Sequence, residues 1–359
     1  IASLAKGFTA MCVMMLAEQG KLTYNDPIVN YLPELDKFSN GITVRHLLTH
    51  TSGIPDVGDL GIDNPRLTND KALKTLANLS SNFREPGQSF EYSNTGYLLL
   101  ASIVERVSKM KFGDFLSDKI LEPLEMKNTF LVGRTVGMGG MHSTVDDLLK
   151  WERSFYTEKL VRRSTLDEAF APFSVKEGES TYGFGWNIAI KDGDKAIWHT
   201  GNADGYRAFI GRRLSNEIAI IILTAGDSKR MEINDAIVNI LNGKSYRLPG
   251  LPIADKLYDQ ISKDGIEKAI AFYDSLKNKD FLSYDFSESQ LNSLGYRLLN
   301  DKKYEEAIEI FKLNTIAYPE SSNVFDSLGE AYYREGDIAG GVKCYEKALE
   351  LDPSNLSSS

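Results

Sequence analysis

Residues 1–20 read Ile1-Ala2-Ser3-Leu4-Ala5-Lys6-Gly7-Phe8-Thr9-Ala10-Met11-Cys12-Val13-Met14-Met15-Leu16-Ala17-Glu18-Gln19-Gly20, and the rest of the chain is read from them. Leu4, Phe8, Met11, Cys12, Met15 and Leu16 recur at helical spacing, and Gly20 supplies a stop. The opposite face is scarcely more polar, since Lys6 is the one charged residue between Ile1 and Ala17. The pattern predicts a helix buried on nearly all sides. A lone amine in such a helix must find partners or give up its proton. Ser3 lies three residues earlier on the same face. In the first turn the helix dipole opposes a protonated amine and favours an anion at Ser3, so a neutral Lys6 can take the hydroxyl proton. The competing reading is an N-cap serine beside a lysine that snorkels to the surface. Ser108-Lys109-Met110-Lys111 has the same spacing and reads as an ordinary solvated helix end.

The 359 residues are 42% hydrophobic and 10% aromatic, enough for two globular domains. A net charge of −9, with the basic residues dispersed, argues against a nucleic-acid partner. No apolar run reaches the length of a membrane span, so no transmembrane segment is expected. Cys12 and Cys344 fall in segments assigned to different domains, so no disulfide is expected, and Cys12 reads as a small core residue.

Between 22 and 35, Pro27 and Pro33 break regular structure. Thr43 opens a short helix over 43–50, which carries His46 and His50 at i, i+4. A zinc protease would have glutamate where Leu47 stands, and no third ligand is evident, so the two histidines are assigned to capping and loop packing. Residues 56–69 read as loop and 70–80 as a helix. A further amphipathic helix runs from Thr95, which leaves Tyr92 and Asn94 in the loop at its N-terminus, two apart and facing one cavity. A helix over 112–121 ends before Pro123. Gly133, Gly137, Gly139 and Gly140 lack the Gly-Lys-Ser/Thr of a phosphate loop, and Ser143-Thr144-Val145-Asp146 reads as a capping box for a helix over 146–155. Strands are expected over 182–190, 195–199, 206–213 and 217–224. Short links holding Asp192-Gly193, residues 202–205 and Ser215-Asn216 make them antiparallel neighbours. The nearly all-apolar run 218–223 predicts a strand covered on both faces in the middle of the sheet, with a helix over 231–241 packed on it.

Pro249, Gly250 and Pro252 mark a linker, taken as 246–253, between expected domains 1–245 and 254–355. Beyond it Leu294-Gly295 recurs as Leu328-Gly329, Ala307 as Gly341, Phe311 as Tyr345 and Pro319 as Pro353, each at an interval of 34. That period resembles the tetratricopeptide repeat, a helix-turn-helix unit. Residues 269–273 look like the second helix of an earlier, degenerate unit. Repeats this few are expected to lean on the first domain or on another chain, which makes a protein partner or self-association the expectation for them.

Three short motifs now stand in order: Ser3-x-x-Lys6, Tyr92-Ser93-Asn94 and His199-Thr200-Gly201. On helix, loop and strand end, they resemble the serine hydrolases related to class C β-lactamases, a group that includes D-Ala-D-Ala peptidases, D-amino-acid amidases and esterases. The blocks from Leu47 to Pro55, Tyr92 to Tyr97 and Ser143 to Leu148 also look like family blocks, so the likeness spans roughly 1–243. It implies an α+β fold: an antiparallel β-lactamase-like sheet with a helical domain, followed by an all-α repeat domain. Ser3 is then the acylated nucleophile, and Lys6 and Tyr92 share the base role. Tyr92, partly ionised beside the cation, returns the proton to the leaving group. Asn94 holds Lys6 and the substrate carbonyl, and the backbone N–H groups of Ser3 and Asn202 form the oxyanion hole. No cofactor is implied, the substrate is a small ester, amide or D-amino-acid peptide, and the location is periplasmic or secreted. Two departures stand out. His199 replaces the lysine with which β-lactamases grip a carboxylate, as in the esterase and amidase relatives. The helix and strands that precede the nucleophile in the family are expected to be absent, which leaves the edge beside 217–224 open. The reading from another class is an inactive scaffold whose repeats bind a partner.

Overall fold

The computed structural model describes all residues except 39–40, 62–66, 80–83, 176–179, 192–193, 204, 214–216, 226–228, 247, 282 and 354–359. The apolar opening stretch folds in two pieces. A 3-10 turn, Ala2–Leu4, carries Ser3, and α1 (Ala5–Glu18) carries Lys6. From Ala5 to Met14 every residue of α1 is buried, as the near-absence of charge requires. There follow α2 (Val44–Leu48), α3 (Asn69–Asn78), α4 (Asn94–Ser108), α5 (Phe112–Leu116) running into a π turn (Ser117–Leu121), α6 (Val145–Ser154) and α7 (Arg163–Ala169). Side-chain oxygens of Thr43, Thr68, Ser93 and Thr144 cap α2, α3, α4 and α6 by accepting a backbone N–H of the first turn. The cap of α6 is therefore Thr144, one residue beyond the serine that the capping-box reading used. The apolar core of this part gathers α1, α4 and the sheet around Phe8, Met11, Leu98, Leu99 and Trp151.

A short hairpin joins β1 (Phe130–Leu131) to β2 (Met141–His142). The main sheet holds β3 (Ser174–Val175), β4 (Ser180–Tyr182), β5 (Asn187–Lys191), β6 (Asp194–Ala203), β7 (Tyr206–Arg213) and β8 (Ile218–Ala225), antiparallel and in sequence order. The single strand expected over 182–190 is two, because Gly185 turns the chain at φ +81° and passes so close to α1 that a Cβ would sit 2.9 Å from the Lys6 carbonyl oxygen. The expected turns at Asp192-Gly193 and Ser215-Asn216 lie outside the described residues.

β8 is not the mid-sheet strand that its apolar run suggests, and it has the open edge expected beside residues 217–224. It is an edge strand, paired along its length with β7, and among the described residues no strand takes its other side. Its apolar character reports burial on both faces: Ile221 and Leu223 pack on the core, while Ile222 is buried on the opposite face. Facial cover of that kind is available to an edge strand as well as to a central one.

The chain divides into two compact units, Ile1–Asn234 and Asp235–Ser359, and the division falls within α8 (Arg230–Leu241), of which Ala236 is the buried residue. In the second unit β9 (Leu251–Pro252), inside the stretch read as linker, pairs in parallel with β10 (Tyr284–Asp285). Helix pairs follow: α9 (Ile253–Asp264) with α10 (Ile266–Lys279), α11 (Glu288–Asn300) with α12 (Tyr304–Ala317), and α13 (Ser322–Glu335) with α14 (Ile338–Leu351). The repeated Leu-Gly has a packing cause: a Cβ on Gly295 would lie 2.4 Å from the Phe311 ring, and one on Gly329 2.9 Å from the Tyr345 ring. Each glycine is the seat for the aromatic ring of the following helix. Among the described residues no helix is long and apolar enough to cross a membrane.

One buried ion pair ties a helix to the sheet. Arg212 of β7 meets Glu152 of α6 at 2.7 Å with both side chains no more than 2% exposed, and its guanidinium lies 3.9 Å from the centre of the Phe155 ring. Removing one member strands the other charge in the core. Arg212→Met is expected to lower the unfolding free energy by about 3–5 kcal/mol, measured by urea denaturation. A loss under about 1 kcal/mol, the worth of a solvent-exposed pair, would show that Glu152 is relieved in some other way.

Candidate active site

Lys6 is fully buried, at 0% exposure. Its Nζ lies 2.8 Å from Asn94 Oδ1, 2.9 Å from the Met138 carbonyl oxygen and 3.2 Å from Ser3 Oγ. The first two are acceptors and nothing else, so they claim two N–H bonds. The third direction points at a hydroxyl, which can accept from an ammonium or donate to the lone pair of a neutral amine. Burial pushes Lys6 down to about 7, against a smaller upward pull from the Asp56 carboxylate. Near neutrality the amine therefore holds a lone pair for part of the time, and that lone pair faces Ser3.

The Met138 carbonyl is delivered by the glycine loop that leads to β2. Gly137 stands at φ +96°, where a Cβ would lie 2.4 Å from the Tyr97 carbonyl oxygen, and its own carbonyl accepts from Thr9 Oγ1 at 2.7 Å. The buried Asn69 amide pins the same loop to α4: its Oδ1 accepts from the Val136 N–H at 2.9 Å, and its Nδ2 donates to the carbonyls of Val136 and Leu98. Sequence reading set this loop aside as structural. A backbone carbonyl carries no residue identity, so its part in holding Lys6 has no sequence signal.

Tyr92-Ser93-Asn94 is held by the segment from His50 to Asp56. The His50 carbonyl accepts from Glu91 N–H at 2.8 Å, and His50 Nδ1 accepts from Ser93 N–H at 2.9 Å. Asp56 Oδ2 accepts from the N–H groups of Asn94 and Thr95, at the N-terminus of α4. His50 adopts φ +57°, and its ring lies 4.3 Å from the ring of Tyr92 and 4.6 Å from that of Tyr182. His46 Nδ1 accepts from Thr43 N–H at 3.2 Å in the capping box of α2. Both histidines thus do the capping and loop packing expected of them, while Asp56 went unnoticed because its partners lie almost forty residues away.

Tyr92 is 40% exposed, its ring lies 4.8 Å from Lys6 Nζ, and the nearby Ser3 hydroxyl favours its phenolate. Desolvation pushes the phenol up to about 12, and Ser3 offsets only part of that. The shift runs against the expectation of a partly ionised tyrosine, since desolvation outweighs the help from Ser3. His199 is buried on β6, where Nδ1 lies 2.7 Å from the Thr200 carbonyl oxygen and Nε2 3.0 Å from the Tyr182 hydroxyl. Because a carbonyl only accepts, Nδ1 carries a proton and donates it to Thr200. Thr200 is half-buried, and Gly201 lets β6 run against the turn of Ser3: a Cβ there would lie 2.2 Å from the Ile1 carbonyl oxygen. Asn202 is exposed on the next residue of the strand. Ser3, Lys6, Tyr92 and Asn94 converge in space, and His199 joins them with its ring 6.1 Å from that of Tyr92.

A serine on the turn before a helix that carries a buried lysine, packed against an antiparallel sheet, is the arrangement of the serine hydrolases with a β-lactamase fold. The Beta-lactamase family model matches residues 1–242, and a Tetratricopeptide repeat model matches residues 322–355. The chain belongs to the Beta-lactamase family and carries a tetratricopeptide repeat. It is similar to penicillin-binding protein 4* of Bacillus subtilis (strain 168), with 28% identity over 87% of this chain and 78% of that protein. Protein flp of Staphylococcus aureus (strain MW2) is 26% identical over 68% of this chain, which spans 57% of flp's length. Among solved structures, an octameric penicillin-binding protein homologue from Pyrococcus abyssi superposes with a TM-score of 0.61 and 28% identity, over 68% of this chain and 66% of that one. D-amino acid amidase from Ochrobactrum anthropi SV3 shares the fold at a TM-score of 0.58 and 22% identity, over 68% of this chain and 85% of its own.

The Gly137 turn gives a direct check on the geometry around Lys6. Gly137→Ala forces a Cβ into the Tyr97 carbonyl from a left-handed backbone, so unfolding free energy is expected to fall by about 1–3 kcal/mol, read by thermal or urea denaturation. An unchanged midpoint would mean that the loop can withdraw from α4 at no cost.

Proposed function

We propose that the protein is a serine hydrolase that works through an acyl-enzyme on Ser3, with a small ester, amide or D-amino-acid peptide as substrate. The observation that carries this reading is the buried Lys6 amine within hydrogen-bond reach of Ser3 Oγ. As Oγ attacks the substrate carbonyl carbon, its proton passes to the Lys6 lone pair. The oxyanion is met by the backbone N–H groups of Ser3 and Asn202. When the tetrahedral species collapses, the departing alkoxide or amine takes its proton from the neutral Tyr92 hydroxyl, which is replenished from the Lys6 ammonium. Water repeats the sequence on the ester of Ser3 and releases the acid. Asn94 holds the amine throughout.

Substrate class follows from how His199 is held. Both ring nitrogens of His199 are engaged by Thr200 and Tyr182, so it reaches less freely for a substrate carboxylate than the lysine of β-lactamases, and esters and amides suit the site better than substrates that need a carboxylate gripped there. The relatives named D-amino acid amidase and penicillin-binding protein support an acyl group of D-configuration.

The energetics favour an enzyme over a scaffold. Unfolded, Lys6 titrates at its ordinary 10.5, and folded at about 7. Between those values the unfolded chain binds a proton that the native state lacks, so stability rises with pH there, and the penalty is fully present below about 7. Its size is on the order of 5 kcal/mol before the amine's hydrogen bonds are counted. A binding scaffold has no use for that expense.

Incubation with a fluorophosphonate, followed by mass spectrometry, is expected to place one adduct on Ser3, absent in Ser3→Ala. Labelling should rise as pH increases through about 7, the range in which Lys6 loses its proton, and should show no second limb before Tyr92 ionises near 12. Lys6→Met should label at least about a hundredfold more slowly yet unfold no more easily than wild type at pH 6. No Ser3 adduct in the wild-type chain would sink the hydrolase reading and favour the scaffold.

A further inference from the structure

Asp56 has no role in the reaction written above, yet it stands directly behind the site. Its Oδ2 accepts from the N–H groups of Asn94 and Thr95, and Asn94 in turn presents Oδ1 to Lys6 Nζ at 2.8 Å. One residue therefore links the carboxylate to the amine, by its backbone on one side and its side chain on the other. The other groups facing Lys6 are the rings of Tyr92 and Tyr97, 4.8 and 5.6 Å from Nζ. Desolvation raises both phenols, Tyr97 well above its ordinary range. Asp56 is the charged side chain whose field acts on the amine.

We propose that Asp56 is a positioning residue of this site, which fixes the amide that grips Lys6 and sets the proton affinity of that amine from behind it. The inference rests on the reading of Lys6 as the base. Two opposing demands meet at Lys6. Burial without the carboxylate would lower the amine further and make it a weaker acceptor for a hydroxyl proton. A close carboxylate in contact with the amine would keep it charged. Asp56 acts through an intervening residue, so its charge raises the affinity without capturing the proton. Its two backbone hydrogen bonds at the N-terminus of α4 also keep it from swinging toward Nζ.

The test follows Lys6 itself. Lysine-selective isotope labelling of the whole chain gives an NMR titration, with the Lys6 signal assigned by its loss in Lys6→Met. Asp56→Asn and Asp56→Ser keep an acceptor for the backbone N–H groups but remove the charge. Both are expected to lower the Lys6 midpoint by about half a unit to one unit. Asp56→Glu keeps the charge and should keep a midpoint closer to wild type. The pH limb of Ser3 labelling should move in the same direction as the NMR midpoint. A folded Asn or Ser variant with an unmoved midpoint, or a Glu variant that shifts as far as the neutral ones, would overturn the proposal and leave Asp56 as a helix cap. Absence of Ser3 labelling in wild type would sink the hydrolase reading alone, because the NMR titration still decides what Asp56 does.

Discussion

The structure of the first unit depends on a single constraint, the burial of an amine. Lys6 sits where a leucine would be more stable, and three oxygens surround it. Those oxygens come from a 3-10 turn, from the start of α4 and from a glycine loop, three segments separated by some ninety and some forty residues. None of them can move without leaving the amine short of a partner in a place water does not reach. A half-satisfied polar network is worse than an apolar core, so the chain must close all three contacts or none. The site and the fold are therefore one cooperative object, and the stability of each contact is read through the others.

Close approach is the second requirement, and glycine meets it at each wall of the site. Gly7 admits the Trp186 ring, Gly185 passes the Lys6 carbonyl, Gly137 lies on the Tyr97 carbonyl, and Gly201 lies on that of Ile1. In all four cases a single added carbon would meet an atom at 3.0 Å or less. Trp186 and Tyr97 are themselves almost wholly buried, so the walls cannot relax outward. What reads in sequence as turn punctuation is thus the means by which helix, loop and strand come near enough to share one lysine.

These facts explain which parts were legible beforehand. Ser3 and Lys6 were visible because helical spacing fixes their separation and because a charge in an apolar run is conspicuous. Tyr92 and Asn94 were visible because strand-like alternation in a loop turns both one way. Asp56 and Asn69 act on backbone groups of distant segments, and the Met138 carbonyl belongs to no side chain at all, so no local pattern announces them. The edge position of β8 followed from the family resemblance, while the apolar run by itself pointed to the middle of the sheet. Hydrophobicity reports what covers the faces of a strand and says nothing about who takes its hydrogen bonds. The 34-residue period was legible because each Leu-Gly must seat the next aromatic ring, a contact that repeats with the helix pair.

The direction of proton flow follows from environments that drive two groups apart. Desolvation acts on the buried Lys6 and on the 40%-exposed Tyr92, and it favours the neutral form of each. It therefore lowers the amine to about 7 and raises the phenol to about 12. In water the two groups titrate within about half a unit of each other and neither could be named acid or base. Here the same desolvation separates them by roughly five units, so that at neutral pH Lys6 can accept and Tyr92 can only give. A single physical cause, desolvation by an apolar helix and its aromatic neighbours, thus moves both groups in the directions that the proposed reaction needs.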